Sequence, residues 1–239
     1  MYQKSRGVVL HTIKYSESSV IAKIYTEGFG LLSFMVKGVR TAKSKTKASL
    51  LQPLTILDLE FLHHENKPLL YIKEMKRHYN YQSLPFHTLK SAIALFILEV
   101  LHKAIREHEA NEDLFVFISE ALTALDQCEQ LNPDFHLLFL IQLSRYLGFG
   151  PHENYSDTRC FFEMNEGVFG TKNGMPHVMD KTESQRMYQL MQRSLFDQRG
   201  SLLQRSERKQ MQQLLLKYYQ LHLENFSLKS PEVLEALFE

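Results

Sequence analysis

The chain has 239 residues, 44% of them hydrophobic and 23% charged, which suits one large or two small cored domains and not a low-complexity protein. Its 2 cysteines, Cys128 and Cys160, exclude a disulfide framework and a four-cysteine zinc site. The net charge of +1 hides an asymmetry: residues 1–80 hold 10 Lys and 3 Arg against 6 acids, a net +7, while residues 81–239 hold 15 bases against 21 acids, a net −6.

Residues 1–80 read as short strands rich in β-formers. Arg6–Ile13 is the first. Ser19–Thr26 alternates, with Val20, Ala22, Ile24 and Thr26 on one face and Ile21, Lys23 and Tyr25 on the other. Glu27-Gly28-Phe29-Gly30 is a turn, and Leu31–Lys37 completes a meander. Leu54–Leu62 and Leu69–Met75 follow, joined by His63-His64-Glu65-Asn66-Lys67-Pro68. Short strands at this spacing predict a small closed barrel, and a meander followed by a basic loop suggests an OB-fold.

From Leu84 the period becomes helical. Helices are predicted over Thr88–His108, Glu112–Leu125, Phe135–Leu147, Glu183–Leu195, Ser206–Leu223 and Glu232–Phe238. Gly148-Phe149-Gly150-Pro151 stops the third of them. Residues 152–181 are a loop-rich insert. The expected architecture is therefore α+β: a barrel domain over 1–80, then a helical bundle over 84–239 that contains the insert.

The start of the chain turns polar within a few residues, unlike a secretory signal, and Ile93–Leu101 is too short for a bilayer and contains Glu99. Free cysteines fit a reducing, soluble compartment.

Lys37, Arg40, Lys43, Lys45 and Lys47 place five bases and no acid in eleven residues. Such a run is suited to phosphates, which reward many mobile cations over one fixed geometry; the alternative is a solvated loop. Tyr25, Phe29, Phe34 and Tyr71 are candidates for base stacking, although a small barrel needs aromatics in its core. The acidic remainder argues against wholesale coating by polyanions. Arg145, Arg205, Arg208 and Lys209 are candidates for rimming a groove that holds a peptide carboxylate, with ordinary ion pairs as the alternative.

Two pairs in the insert, Cys160 with Glu163 and His177 with Asp180, have the spacing of a zinc ribbon. One thiolate, one imidazole and two carboxylates are a poor structural set, so no structural zinc is expected. No phosphate loop, dinucleotide fingerprint or His-Glu-x-x-His motif is present. His63-His64-Glu65 shows no paired-carboxylate nuclease site, and no enzyme is expected.

Arg6-Gly7-Val8-Val9-Leu10 with Tyr15–Ser19, Leu31–Arg40, Leu147-Gly148-Phe149-Gly150-Pro151, and His222–Phe226 with Leu228-Lys229-Ser230 resemble, in that order, signatures of the bacterial RecO family of recombination and repair mediators. The resemblance spans essentially the whole chain. It implies an OB-fold, a helical bundle, and binding of single- and double-stranded DNA with annealing of complementary strands. It further implies docking of the C-terminal tail of single-stranded DNA-binding protein and, with RecR, loading of RecA. No cofactor is implied beyond the zinc of members with two Cys-x-x-Cys pairs, of which only Cys160 is matched here. Carried onto this chain, DNA contact falls on Lys37, Arg40, Lys43, Lys45 and Lys47, extended by Arg6, Lys14 and Lys23. A cytoplasmic protein, at the nucleoid when bound to DNA, is the corresponding expectation.

Overall fold

The computed structural model describes residues 1–39, 45–64, 67–106, 110–172, 174–197 and 199–237. The fold is α+β. Strands β1 (Tyr2–Lys14), β2 (Val20–Thr26), β3 (Gly30–Val36), β4 (Ile56–Leu62) and β5 (Leu70–Arg77) close an OB-like barrel in the order β1-β2-β3-β5-β4. The β3–β5 pairing is parallel and the other four are antiparallel. The alternation in β2 is realised: Val20, Ala22, Ile24 and Thr26 are buried. The first three share a core with Val9, Phe34, Leu57, Leu59, Phe61 and Leu70. Gly7 leaves room for that core, since a Cβ there would stand 2.6 Å from Ile24 Cγ2.

Between β3 and β4 the basic stretch is not all loop, as the sequence reading had it. Helix α1 (Lys45–Leu50) begins at Lys45. The reason is packing: Lys, Ala and Leu are good helix formers, and Leu50 with the following Leu51 packs on the barrel core.

The chain divides into two compact units, Met1–Phe86 with Leu98–Asp126, and His87–Ile97 with Gln127–Glu239. Helix α2 (Thr88–Ala104) contributes residues to both, and α3 (Glu112–Gln127) belongs almost wholly to the barrel unit. Two contacts explain why α3 goes with the barrel. Tyr25, on the outer side of β2, is covered by Phe115, ring centroids 6.4 Å apart. At the other end of α3, the Asp126 carboxylate accepts the N–H groups of Gln82 (3.0 Å), Ser83 (2.8 Å) and Leu84 (2.7 Å), and the Tyr79 hydroxyl. Burial opposes the charge on Asp126, but these four donors outweigh it and hold the carboxyl below its usual range.

The second unit contains α4 (Phe135–Tyr146), the hairpin β6 (Phe161–Glu163) and β7 (Val168–Gly170), α5 (Lys181–Met191), α6 (Arg205–His222) and α7 (Ser230–Leu237). Phe162 and Phe169 are fully buried in the hairpin, their rings 5.1 Å apart. The Ser184 hydroxyl accepts the Phe162 N–H and donates to the Met179 carbonyl, tying the hairpin to α5. Among the described residues no helix is long and apolar enough to cross a membrane.

His136 on α4 is buried, edge-on to Phe96. Burial and the Arg208 charge push its pKa down to about 4, against weaker upward pulls from Asp134, the Pro133 carbonyl and Gln212. The neutral ring is therefore the folded form. An unfolded His titrates near 6.5, so the unfolded chain binds more protons in the window between. This contribution to stability is full above about pH 6.5 and is lost as the pH falls towards about 4, on the order of 3 kcal/mol. Urea unfolding at neutral pH and at about pH 4.5 checks this, and a His136→Asn variant should lose most of the difference.

Candidate nucleic-acid interface

The barrel wall has two outer faces of different electrostatic character. On the β1–β4–β5 face, the ladder sets Lys4 opposite Glu60 and Glu60 opposite Glu74, and Arg6 opposite Asp58 and Asp58 opposite Lys76. Several of these groups are paired: Lys73 with Glu60 at 2.5 Å and Lys76 with Asp58 at 3.6 Å, while His78 Nδ1 lies 2.9 Å from the Asp58 carboxylate. Arg6, one of the cations expected to extend the DNA contact, stands on this face. Its guanidinium makes a two-pronged pair with Glu27, at 2.9 and 2.5 Å, and lies 5.3 Å from the Phe115 ring centroid. That bond lifts the Arg6 pKa and lowers that of Glu27. A phosphate approaching this face meets carboxylates as often as cations.

The β1–β2–β3–β5 face is different. One outer row is His11, Lys23 and Ser33; the next is Ile13, Ile21, Met35 and Tyr71. Neither row holds a carboxylate. Tyr71 is half exposed, with the Lys37 ammonium 5.5 Å from its ring centroid. Lys14 is exposed at the end of β1 and Lys37 just past β3. Of the four aromatics proposed for stacking, Tyr25 and Phe34 are buried, Phe29 is half-buried, and only Tyr71 stands out into solvent. Arg40 and Lys43 lie outside the described residues; Lys45 and Lys47 fall in α1.

Beside this face lies a cleft of about 790 Å³ lined by Phe29, Leu32, Ser33, His63, His64 and Lys67, among others. The Phe29 ring is 4.9 Å from His63 and edge-on to Phe61. His63 therefore packs as an aromatic; Glu65 lies outside the described residues. In sequence these histidines suggest at most a metal-dependent nuclease site. Their place in the β4–β5 connection, a loop that OB-folds use for oligonucleotides, was the signal that pointed elsewhere.

In the second unit the four candidate partner-binding cations differ in exposure and partners. Arg208 is buried; its Nε donates to Asp134 at 2.8 Å and its Nη2 to the Leu203 carbonyl. Arg145 pairs with Glu153 at 2.9 Å. Arg205 and Lys209 are exposed on α6. The zinc candidates also lack the fit of a metal site. Asp180 is the N-cap of α5, accepting the Glu183 N–H at 2.8 Å in a capping box. Cys160 is buried and His177 has a left-handed backbone, φ 62°. Among the described residues no three His, Cys, Asp or Glu side chains are grouped to hold a metal ion.

A small closed barrel with one charge-compensated face and one basic, partly aromatic face, continued by helices, has the form of an OB-type nucleic-acid-binding protein. Two family models match the chain, one described as Recombination protein O N terminal over residues 1–81 and one as Recombination protein O C terminal over residues 87–232. The protein named DNA repair protein RecO from Bacteroides fragilis is 37% identical over 242 residues, covering 100% of both chains. Its namesakes from Phocaeicola vulgatus and Flavobacterium psychrophilum are 36% and 35% identical, covering 100% of this chain and 100% and 99% of their own. The chain belongs to the RecO family of DNA recombination and repair proteins.

Proposed function

We propose that the protein is a DNA-binding recombination mediator that anneals complementary single strands. With a RecR-like partner, it helps load RecA onto DNA coated by single-stranded DNA-binding protein. The observation that carries this reading is the partition of charge on the barrel. Lys14, Lys23 and Lys37 stand on or beside rows without carboxylates, whereas Arg6 and Lys76 are neutralised on the other face. Cations gathered on one face draw two phosphate backbones together and lower their mutual repulsion, which is what annealing requires. Tyr71 and the Phe29–His63 cleft offer stacking surfaces to unpaired bases.

The action is stoichiometric binding, not catalysis, and needs no cofactor. The insert is assigned cohesion by packing in place of zinc, since Phe162, Phe169 and Ser184 already join it to α5. The acidic tail of the coating protein is assigned to the exposed cations Arg205 and Lys209 on α6.

Titration of fluorescent single-stranded DNA at several salt concentrations tests the reading. Each phosphate neutralised contributes about −0.7 to the slope of log K against log salt for single strands. A slope of about −3 or steeper is expected, from Lys14, Lys23, Lys37 and the basic run together. A flat slope, without annealing of added complementary strand, would leave a protein-interaction adaptor whose barrel does not touch DNA.

A further inference from the structure

The outer row of β1 and β2 contains an irregularity. Val9 pairs with Ile24 in the core, and the next pair is His11 with Lys23, because a bulge at Leu10 adds one residue to β1. In an unbroken ladder Leu10 would face Lys23 and His11 would face Ala22, inside the barrel. The bulge re-aims His11 to the outer side, as bulges beside functional sites do. His102, near the end of α2 and in the same compact unit, meets it there, ring centroids 5.0 Å apart and tilted by 42°. Both histidines are exposed and Lys23 is half-exposed.

We propose that His11, Lys23 and His102 form a proton-linked phosphate site, through which DNA binding takes up protons and tightens as the pH falls. This rests on the reading that this face of the barrel binds DNA. Among the described residues, the charged groups facing the site are His11 from β1, Lys23 from β2, and His102, Lys103 and Glu99 from α2; the β3 neighbour in the row, Ser33, carries no charge. Without a ligand His102 resists protonation. Partial desolvation of the ring and the neighbouring His11, Lys23 and Lys103 hold the His102 pKa below the usual imidazole value, with Glu99 working the other way. A phosphodiester laid across the row reverses this balance. Its oxygens accept from the Lys23 ammonium and from imidazolium N–H groups, and its negative charge favours the protonated rings. A ligand that prefers the protonated protein must raise the histidine pKa values and bind more tightly at lower pH.

The experiment measures affinity of the full chain for fluorescent single-stranded DNA at constant low salt, at about pH 6 and about pH 8.5. The wild type is expected to bind about tenfold more tightly at the lower pH. The His11→Gln, His102→Gln double variant should reduce that ratio to near unity. His78→Gln alters a histidine paired with Asp58 on the compensated face and should keep the full pH response. Calorimetry of binding near neutral pH, in two buffers of different ionisation enthalpy, should show proton uptake in the wild type and little in the double variant. A pH-independent wild type, or a double variant that retains the response, overturns the site while leaving DNA binding by the barrel standing. Absence of DNA binding at either pH overturns both.

Discussion

Replacing Lys43, Lys45 and Lys47 together with glutamate should abolish strand annealing and weaken single-stranded DNA binding by about 100-fold at low salt. The salt slope should become shallower by about two, three phosphates at about 0.7 each. The fold should survive. Glutamate in place of Lys45 and Lys47 stands in the first turn of α1, where no acid is present now and a negative charge favours the helix dipole. Leu50 and Leu51, which pack on the barrel core, are untouched. A thermal melt alongside the binding titration separates the two effects. Reversing Arg6 is the informative contrast. It breaks the pair with Glu27 and places an acid on a face already rich in carboxylates, so it should cost stability and change the salt slope little. A triple variant with unchanged DNA affinity would remove this segment from the interface.

Features that depend on local periodicity were legible in the sequence. The β2 alternation named the buried side of the barrel wall, and the change of period after Leu84 marked the start of the helices. The pairing of Arg6 and Arg208 was not legible, because their partners are distant along the chain. Glu27 and Asp134 come alongside them only when strands and helices pack, and a basic residue shows no sign in sequence of whether its charge is already spent. Asp126 escaped notice for the same reason: its donors are backbone N–H groups more than forty residues away, and every residue type supplies those. The Leu10 bulge was equally hidden. A single inserted residue in a long β-rich stretch leaves the composition unchanged, yet it moves His11 from the inner side of the wall to the outer. Family resemblance identified the class of protein, but the sorting of its cations into used and available ones had to come from the ladder register.

Asp134→Ala is expected to destabilise the second unit by about 3–5 kcal/mol, the usual cost of breaking a buried ion pair from one side. Asp134 and Arg208 are 1% and 9% exposed, so neither charge has water to fall back on. Besides Arg208 Nε, the Asp134 carboxylate accepts the Leu202 N–H at 2.6 Å and the Ser201 hydroxyl at 3.0 Å. Alanine therefore strands a guanidinium and a backbone donor together. The double variant Asp134→Leu, Arg208→Met removes both charges at once and should lose less than Asp134→Ala alone, since apolar side chains of similar volume often replace a buried pair at little cost. Denaturant unfolding of the wild type, Asp134→Leu, Arg208→Met and the double variant closes the cycle, with Asp134→Ala measured beside it; a double variant as unstable as the sum of its two single ones would argue that the pair is uncoupled. The same energetics bear on partner binding. Substitution of Arg208 is expected to act on tail-peptide binding through the folding of the unit, because the guanidinium already donates to Asp134, Ser201 and Leu203. Arg205→Glu and Lys209→Glu change exposed positions of the same helix, and they should reduce tail affinity without shifting the unfolding midpoint.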